Sequence, residues 1–170
     1  MVEMVYRTFE RRLETVSKAR ELVAQTLDVT CPRFEDMRLC VSELASNAVQ
    51  YATDQCGSYV VDVVRGAECV DIEVHDAGTQ DPHSFLQPAE DLATSGRGLY
   101  IVDQLSDGWG AFVTHGHGKV VGACFHRKGG AMKGCSCRSW PRLHFQASLT
   151  TGSSSCGAIS NVPLSGCPGL

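Results

Sequence analysis

The stretch Glu43-Leu-Ala-Ser-Asn47-Ala-Val-Gln-Tyr-Ala52 decides both the fold and the candidate site of this 170-residue chain. Side chains four positions apart lie on the same face of a helix. Glu43 and Asn47 therefore present a carboxylate beside an amide, while Leu44 and Ala48 belong to an apolar stripe one position further on. This pattern predicts an amphipathic helix that packs on a core and exposes one polar pair.

The segments around this stretch alternate between helical and strand-like patterns. Apolar spacing predicts helices over Leu13 to Leu27, Phe34 to Ala52 and Gly98 to Leu105, and strands over Val5 to Phe9, Tyr59 to Arg65, Cys69 to His75, Trp109 to Thr114 and Lys119 to Phe125. The resulting order, β-α-α-β-β-loop-α-β-β, predicts an α+β domain. Its helices cover one face of a mixed, largely antiparallel sheet, as in a two-layer α/β sandwich.

The pair Glu43 and Asn47 has donor chemistry suited to phosphate transfer. An amide oxygen is a suitable hard ligand for Mg²⁺ that is already bridged by phosphates. The neighbouring carboxylate can accept a proton from an attacking water or hydroxyl. An ordinary solvated helix face is the other interpretation of this pair.

Two further motifs follow in chain order. Asp76-Ala-Gly78 ends a predicted strand, where a carboxylate beside a glycine can accept a hydrogen bond from an adenine amino group. Ser95-Gly-Arg-Gly98 precedes a helical pattern, and a glycine-rich helix start offers backbone N–H groups and a favourable dipole to phosphate. Each motif alone is a common turn or cap, but their order and spacing together indicate a nucleotide site with a lid of roughly 17 residues between them.

With these motifs, residues 5–126 resemble the Bergerat-fold (GHKL) ATPases, specifically the small bacterial anti-sigma-factor serine/threonine kinases. The stretch from Glu43 to Ala52 resembles the N box of that family, and Asp76-Ala-Gly78 its first glycine box. Gly96-Arg-Gly-Leu-Tyr-Ile-Val102 resembles the second glycine box. Leu105-Ser-Asp-Gly-Trp109-Gly also fits the family's turn from its last helix into the sheet.

The resemblance implies a fold, two cofactors and a role for each motif residue. It implies a histidine kinase-like ATPase domain that binds ATP and Mg²⁺, with Glu43 as catalytic base, Asn47 as the metal ligand and Asp76 on adenine. The remaining cofactor-binding residues by resemblance are Gly78, Gly96, Arg97, Gly98 and Leu99. The implied activity is transfer of the ATP γ-phosphate to a serine of a small antagonist (anti-anti-sigma) protein, together with control of a sigma factor by binding it. The resemblance also implies a homodimer as one possible state.

Three positions depart from the family pattern: Gln80 replaces a glycine, Tyr51 replaces a histidine, and Val120 follows Lys119 where a small hydroxyl residue is common. These departures keep a second function open, a nucleotide-dependent protein-binding module with little or no kinase activity. The catalytic domain of a sensor histidine kinase is a third possibility. It is disfavoured because no helical segment bearing a phospho-acceptor histidine precedes the motifs.

Charge and composition divide the chain into two parts. All 19 acidic residues lie at or before Asp107, so that the first 107 residues carry 9 − 19 = −10 and the remainder carries +6. We expect residues 1–126 to form the ATP-binding domain and residues 127–170, rich in glycine, serine and cysteine, to be a disordered tail. An acidic body disfavours direct nucleic-acid binding. The charged N-terminus and the lack of a long apolar run predict a cytoplasmic protein without membrane contact.

The nine cysteines indicate neither a disulfide framework nor a zinc motif. We expect Cys40, Cys69 and Cys124 to be buried reduced thiols. His115-x-His117 and Cys124-x-His126 invite a metal interpretation, but a hairpin turn at Gly116 would separate the two pairs by about 20–26 Å. We therefore expect no zinc site made from both pairs.

Overall fold

The structure, a computed structural model, describes residues 2–51, 57–77, 97–114 and 118–127. Its elements in chain order are β1 (Glu3–Glu10), α1 (Thr15–Thr26), α2 (Phe34–Tyr51), β2 (Ser58–Arg65), β3 (Cys69–Asp76), α3 (Arg97–Leu105), β4 (Gly108–Thr114) and β5 (Gly118–His126). This order confirms the predicted α+β class. The proposed lid, Gly78, Gly96 and Gln80 lie outside the described residues, as does the predicted tail beyond residue 127.

The five strands form one sheet in the order β1-β2-β3-β5-β4. Every pairing in it is antiparallel, so the mixed sheet that the sequence suggested is fully antiparallel among the described strands. The hairpins β2–β3 and β4–β5 join neighbours, whereas β3 pairs with β5 across the intervening α3. This crossover makes β3 the central strand and aligns Asp76 with Lys119.

The helices cover one face of the sheet because the strand side chains alternate. Val61 and Val63 on β2, with Ile72 and Val74 on β3, are buried in the same core cluster as the apolar stripes of α1 and α2. α2 packs against α1, α3 and the central strand, and its polar pair at Glu43 faces the start of α3. Within the described residues, no helix is both long and apolar enough to cross a membrane.

Arg33 ties the start of α2 to the end of α3. Its backbone has φ 68°, a left-handed conformation that ends the preceding turn and redirects the chain into the helix. The guanidinium donates to the carbonyl oxygen of Leu105 and pairs with Asp107, whose carboxylate also accepts the His126 backbone N–H at 2.7 Å. These contacts hold the C-terminal end of α3 and thereby help to set where its N-terminal end meets α2.

Candidate functional site

The N-terminus of α3 lies directly against the polar pair of α2. A Cβ placed on Gly98 would stand 2.8 Å from Oε2 of Glu43 and 3.5 Å from both side-chain polar atoms of Asn47. A separation under 3.0 Å is one that real Cβ atoms almost never show, so no side chain fits at position 98 without movement of Glu43. The packing of α3 on α2 thus brings together residues 47 and 98, which are far apart in the sequence.

The first residues of α3 have different environments. Gly98 and Leu99 are buried, and Leu99 belongs to the apolar core cluster, so only its backbone is suited to ligand contact. Arg97, in contrast, is exposed at the first position of the helix. The backbone N–H groups of this turn and the positive end of the helix dipole together favour an anion such as phosphate.

Asp76 ends the central strand in a buried ion pair. Its carboxylate Oδ2 lies 3.3 Å from Nζ of Lys119, and the two side chains are only 2% and 4% exposed. The pairing follows from the strand register, because Asp76 and Lys119 are directly opposite each other on β3 and β5. A charged pair so completely removed from water needs good geometry to offset its desolvation cost.

Gly118 closes the backbone around this ion pair. It has φ +86°, and a Cβ there would lie 2.0 Å from the carbonyl oxygen of Asp76 and 2.5 Å from Cα of Ala77. Any residue but glycine would therefore collide with rigid backbone as well as adopt a strained conformation. Position 118, the first of β5, therefore requires glycine because its backbone lies so close to the end of β3.

The structure therefore brings Glu43, Asn47 and Gly98 together and places Asp76 at the end of the strand under α2. The residue that the sequence analysis missed is Lys119 as the partner of Asp76. A charged residue in an otherwise apolar strand was the available signal. It could not be assigned a partner because the pairing of β3 with β5 crosses α3.

Three of the described cysteines, Cys40, Cys69 and Cys124, lack the properties of a nucleophile. Burial, aided by Asp36 and Glu43, raises the pKa of Cys40 to about 12. Burial likewise raises the pKa values of Cys69 and Cys124. These thiols are free and buried, as the sequence predicted, and remain protonated at neutral pH.

The residues fit a phosphate-bearing ligand and its metal. The glycine cradle at Gly98 leaves backbone accessible beside a carboxylate and an amide, which is the donor set that a phosphate-bridged Mg²⁺ accepts. Asn47 would hold the metal, and the first turn of α3 would hold the phosphates. An antiparallel sheet under helices, with such a cradle between two of the helices, defines a nucleotide-binding α+β domain.

A family model, the histidine kinase-like ATPase domain, matches residues 9–125 of the chain. The match covers well over half of the sequence, and the five-stranded fold agrees with it. The chain therefore belongs to the histidine kinase-like ATPase family and carries an ATP-binding domain of that type. No match is found among the curated proteins.

Proposed function

We propose that this chain is a cytoplasmic ATP- and Mg²⁺-dependent regulator of the anti-sigma-factor kinase type. In this function it transfers the γ-phosphate of ATP to a serine of a small antagonist protein, and it controls a sigma factor by binding it. The observation that carries the proposal is the contact of Gly98 with Glu43 and Asn47, which joins a base, a metal ligand and a phosphate-binding helix start.

Each residue of this contact has one task in the proposed reaction. Glu43 accepts the proton of the serine hydroxyl as the serine oxygen attacks the γ-phosphorus, while the bond from that phosphorus to the β,γ-bridging oxygen breaks and ADP leaves. Asn47 offers its amide oxygen to the metal, which when bound neutralises charge on the phosphates. Gly98 admits the phosphates to the helix start because it has no side chain to fill the space in front of Glu43.

The ion pair of Asp76 favours a second candidate, a nucleotide-dependent protein-binding module with little phosphate transfer. One carboxylate oxygen of Asp76 is engaged by Lys119, so adenine would have to bind a carboxylate whose charge is already compensated. A compensated carboxylate is a weaker acceptor for the adenine amino group. Weak, reversible nucleotide binding suits a module that changes its partner surface better than it suits an efficient kinase.

Single-turnover transfer from labelled ATP to a candidate antagonist serine protein tests the proposal. The comparison is between the wild type, Glu43→Gln and a matched control, Glu21→Gln, at an exposed position of α1. We expect transfer by the wild type and the control, and a loss of about 10²-fold or more in Glu43→Gln with ATP binding retained.

The outcomes separate the two candidates. ATP binding without transfer in all three proteins would favour the binding module. Equal transfer rates for wild type and Glu43→Gln would contradict the role of Glu43 as base. A pull-down with and without Mg-ATP, followed by identification of bound sigma factors or small antagonist proteins, tests the partners in the same preparation.

A further inference from the structure

The sheet face turned away from the helices carries a buried polar cluster that the proposed function does not use. It consists of Asp62 on β2 with Glu73 and His75 on β3. Asp62 and Glu73 are directly opposite each other in the β2–β3 register, and His75 lies two residues further along the same face. The alternation that buries Val61, Val63, Ile72 and Val74 under the helices places these three on the other side.

One nitrogen of His75 lies close to both carboxylates. Nε2 is 3.2 Å from Oδ2 of Asp62 and 3.3 Å from Oε2 of Glu73. Neither contact has the angles of a hydrogen bond: Nε2 of His75 lacks a hydrogen-bond partner among the described residues. The three atoms thus surround a common point instead of aligning as a donor with an acceptor.

Burial makes this arrangement costly without a cation. The side chain of Asp62 is 1% exposed, and its other oxygen, Oδ1, also has no hydrogen-bond partner in the part of the chain that the structure describes. Two buried carboxylates beside one imidazole carry a large desolvation cost, and a protonated imidazole would balance only one of their two charges. His75, at 18% exposure, leaves a path from solvent to the cluster.

We propose that Asp62, Glu73 and His75 bind a divalent transition-metal cation on the outer face of the sheet. Ligands about 2.0–2.1 Å from a tetrahedral metal are separated from one another by about 3.3–3.4 Å. The separations from Nε2 to the two carboxylate oxygens agree with this value. One imidazole with two carboxylates is a donor set for Zn²⁺ or a neighbouring transition metal, whereas Mg²⁺ prefers oxygen ligands alone.

The electrostatics of the cluster favour a cation. The carboxylates of Asp62 and Glu73 place two negative charges within 3.3 Å of the imidazole, and their side chains are only 1% and 4% exposed. The same two negative charges attract a metal dication more strongly than a single proton. A dication balances both carboxylates with the imidazole in its neutral, metal-binding form.

A second group on the same face, Cys69, Asp71 and Cys124, also brings three ligand atoms within 4.8 Å of one another. It is the weaker candidate because burial raises the pKa values of both thiols, which must lose their protons before they can bind a metal. Its sulfur ligands make it easy to distinguish, since thiolate coordination of Co²⁺ gives a charge-transfer absorption that nitrogen and oxygen ligands do not give.

Zn²⁺ titration of the full chain against a fluorescent chelator, without nucleotide, tests the site. The proteins compared are the wild type, Asp62→Asn, His75→Gln and the double variant Cys69→Ser/Cys124→Ser. We expect Asp62→Asn and His75→Gln to bind one Zn²⁺ ion fewer than the wild type, or to bind that ion at least about tenfold more weakly. The double variant should retain this equivalent, and the Co²⁺ that the wild type binds in its place should show no thiolate absorption.

Zinc-dependent stability provides the second measurement. Added Zn²⁺ should raise the melting temperature of the wild type and a chelator should reverse the rise, while Asp62→Asn shows neither effect. Unchanged zinc stoichiometry and affinity in folded Asp62→Asn would overturn the proposal, even if its stability changed. Loss of the equivalent in the cysteine variant, or no zinc-dependent stabilisation of the wild type, would also overturn it.

Discussion

Substitution of Gly98 by alanine separates the folding of this domain from its chemistry. The added Cβ would lie 2.8 Å from Oε2 of Glu43, and ordinary contact begins at about 3.4 Å, so the carboxylate must retreat by about 0.6 Å. Oε2 is the far end of a flexible side chain, so this movement needs no shift of backbone. Alanine in place of glycine gains about 1 kcal/mol in a helix interior and less in the first turn, where Gly98 lies. We therefore expect stability to be unchanged or slightly increased.

The same substitution should impair phosphate transfer. A displacement of about 1 Å at a catalytic group can cost 10²-fold in rate, so that about 0.6 Å corresponds to roughly tenfold. Asn47, at 3.5 Å from the added atom, is in ordinary contact and should keep its position. We expect single-turnover transfer to fall about tenfold, with Mg-ATP affinity changed by less than the rate.

Gly57→Ala provides the matched control, because a Cβ at position 57 would meet no atom within 4 Å. Urea unfolding and single-turnover transfer are measured on wild type, Gly57→Ala and Gly98→Ala. A wild-type rate in Gly98→Ala would refute the placement of Glu43 against this helix start. A loss of more than about 2 kcal/mol in the free energy of unfolding of Gly98→Ala would show that the Glu43 carboxylate cannot move away from the added methyl group.

Three further measurements test other parts of the structure. Asn47→Ala should weaken calorimetric ATP binding in the presence of Mg²⁺ and leave Mg²⁺-free binding nearly unchanged; equal weakening in both conditions would contradict a metal-ligand role. Lys119→Met should cost about 3 kcal/mol in urea unfolding because a buried ion pair loses its cation, and Asp76→Asn in the same chain should restore part of it. Cys40 should resist alkylation in the native protein at pH 8 and react in urea, since its pKa of about 12 gives about a thousandfold less thiolate than the ordinary value of 9. Peptide mass spectrometry reports this difference, and rapid native labelling would show that Cys40 is accessible.

The sequence predicted the fold well because its periodicities are local and unambiguous. The helix from Phe34 and the hairpin of β2 and β3 follow from apolar spacing and a short turn, both of which depend on adjacent residues. Each strand of the hairpin is one residue longer than predicted, and the helix is described from Phe34 to Tyr51. Strand order could not be obtained in this way, because α3 and β4 separate β3 from β5 in the chain and no local pattern shows that these two strands are neighbours.

The same limit applies to the site. The face shared by Glu43 and Asn47 follows from helix geometry, but their contact with Gly98 needs the packing of α3 on α2. The alternation of Asp71, Glu73 and His75 along one strand was visible in the sequence. Without the β2–β3 register, however, nothing showed that Asp62 stands opposite Glu73. Chemistry that depends on cross-strand pairs is therefore the part that sequence reasoning leaves out.

The two ends of the proposed nucleotide site are built from different interactions, so they should fail in different ways. The phosphate end depends on a missing side chain at Gly98, where we expect a substitution to move the proposed base without unfolding the domain. The adenine end depends on the buried pair of Asp76 and Lys119, where a substitution removes stability and alters the acceptor at once. We therefore expect transfer rate and ATP affinity to respond to different substitutions in this chain. A Lys119 variant that binds ATP more tightly but transfers phosphate no faster would favour the binding module. Weak ATP binding would then not be what limits phosphate transfer.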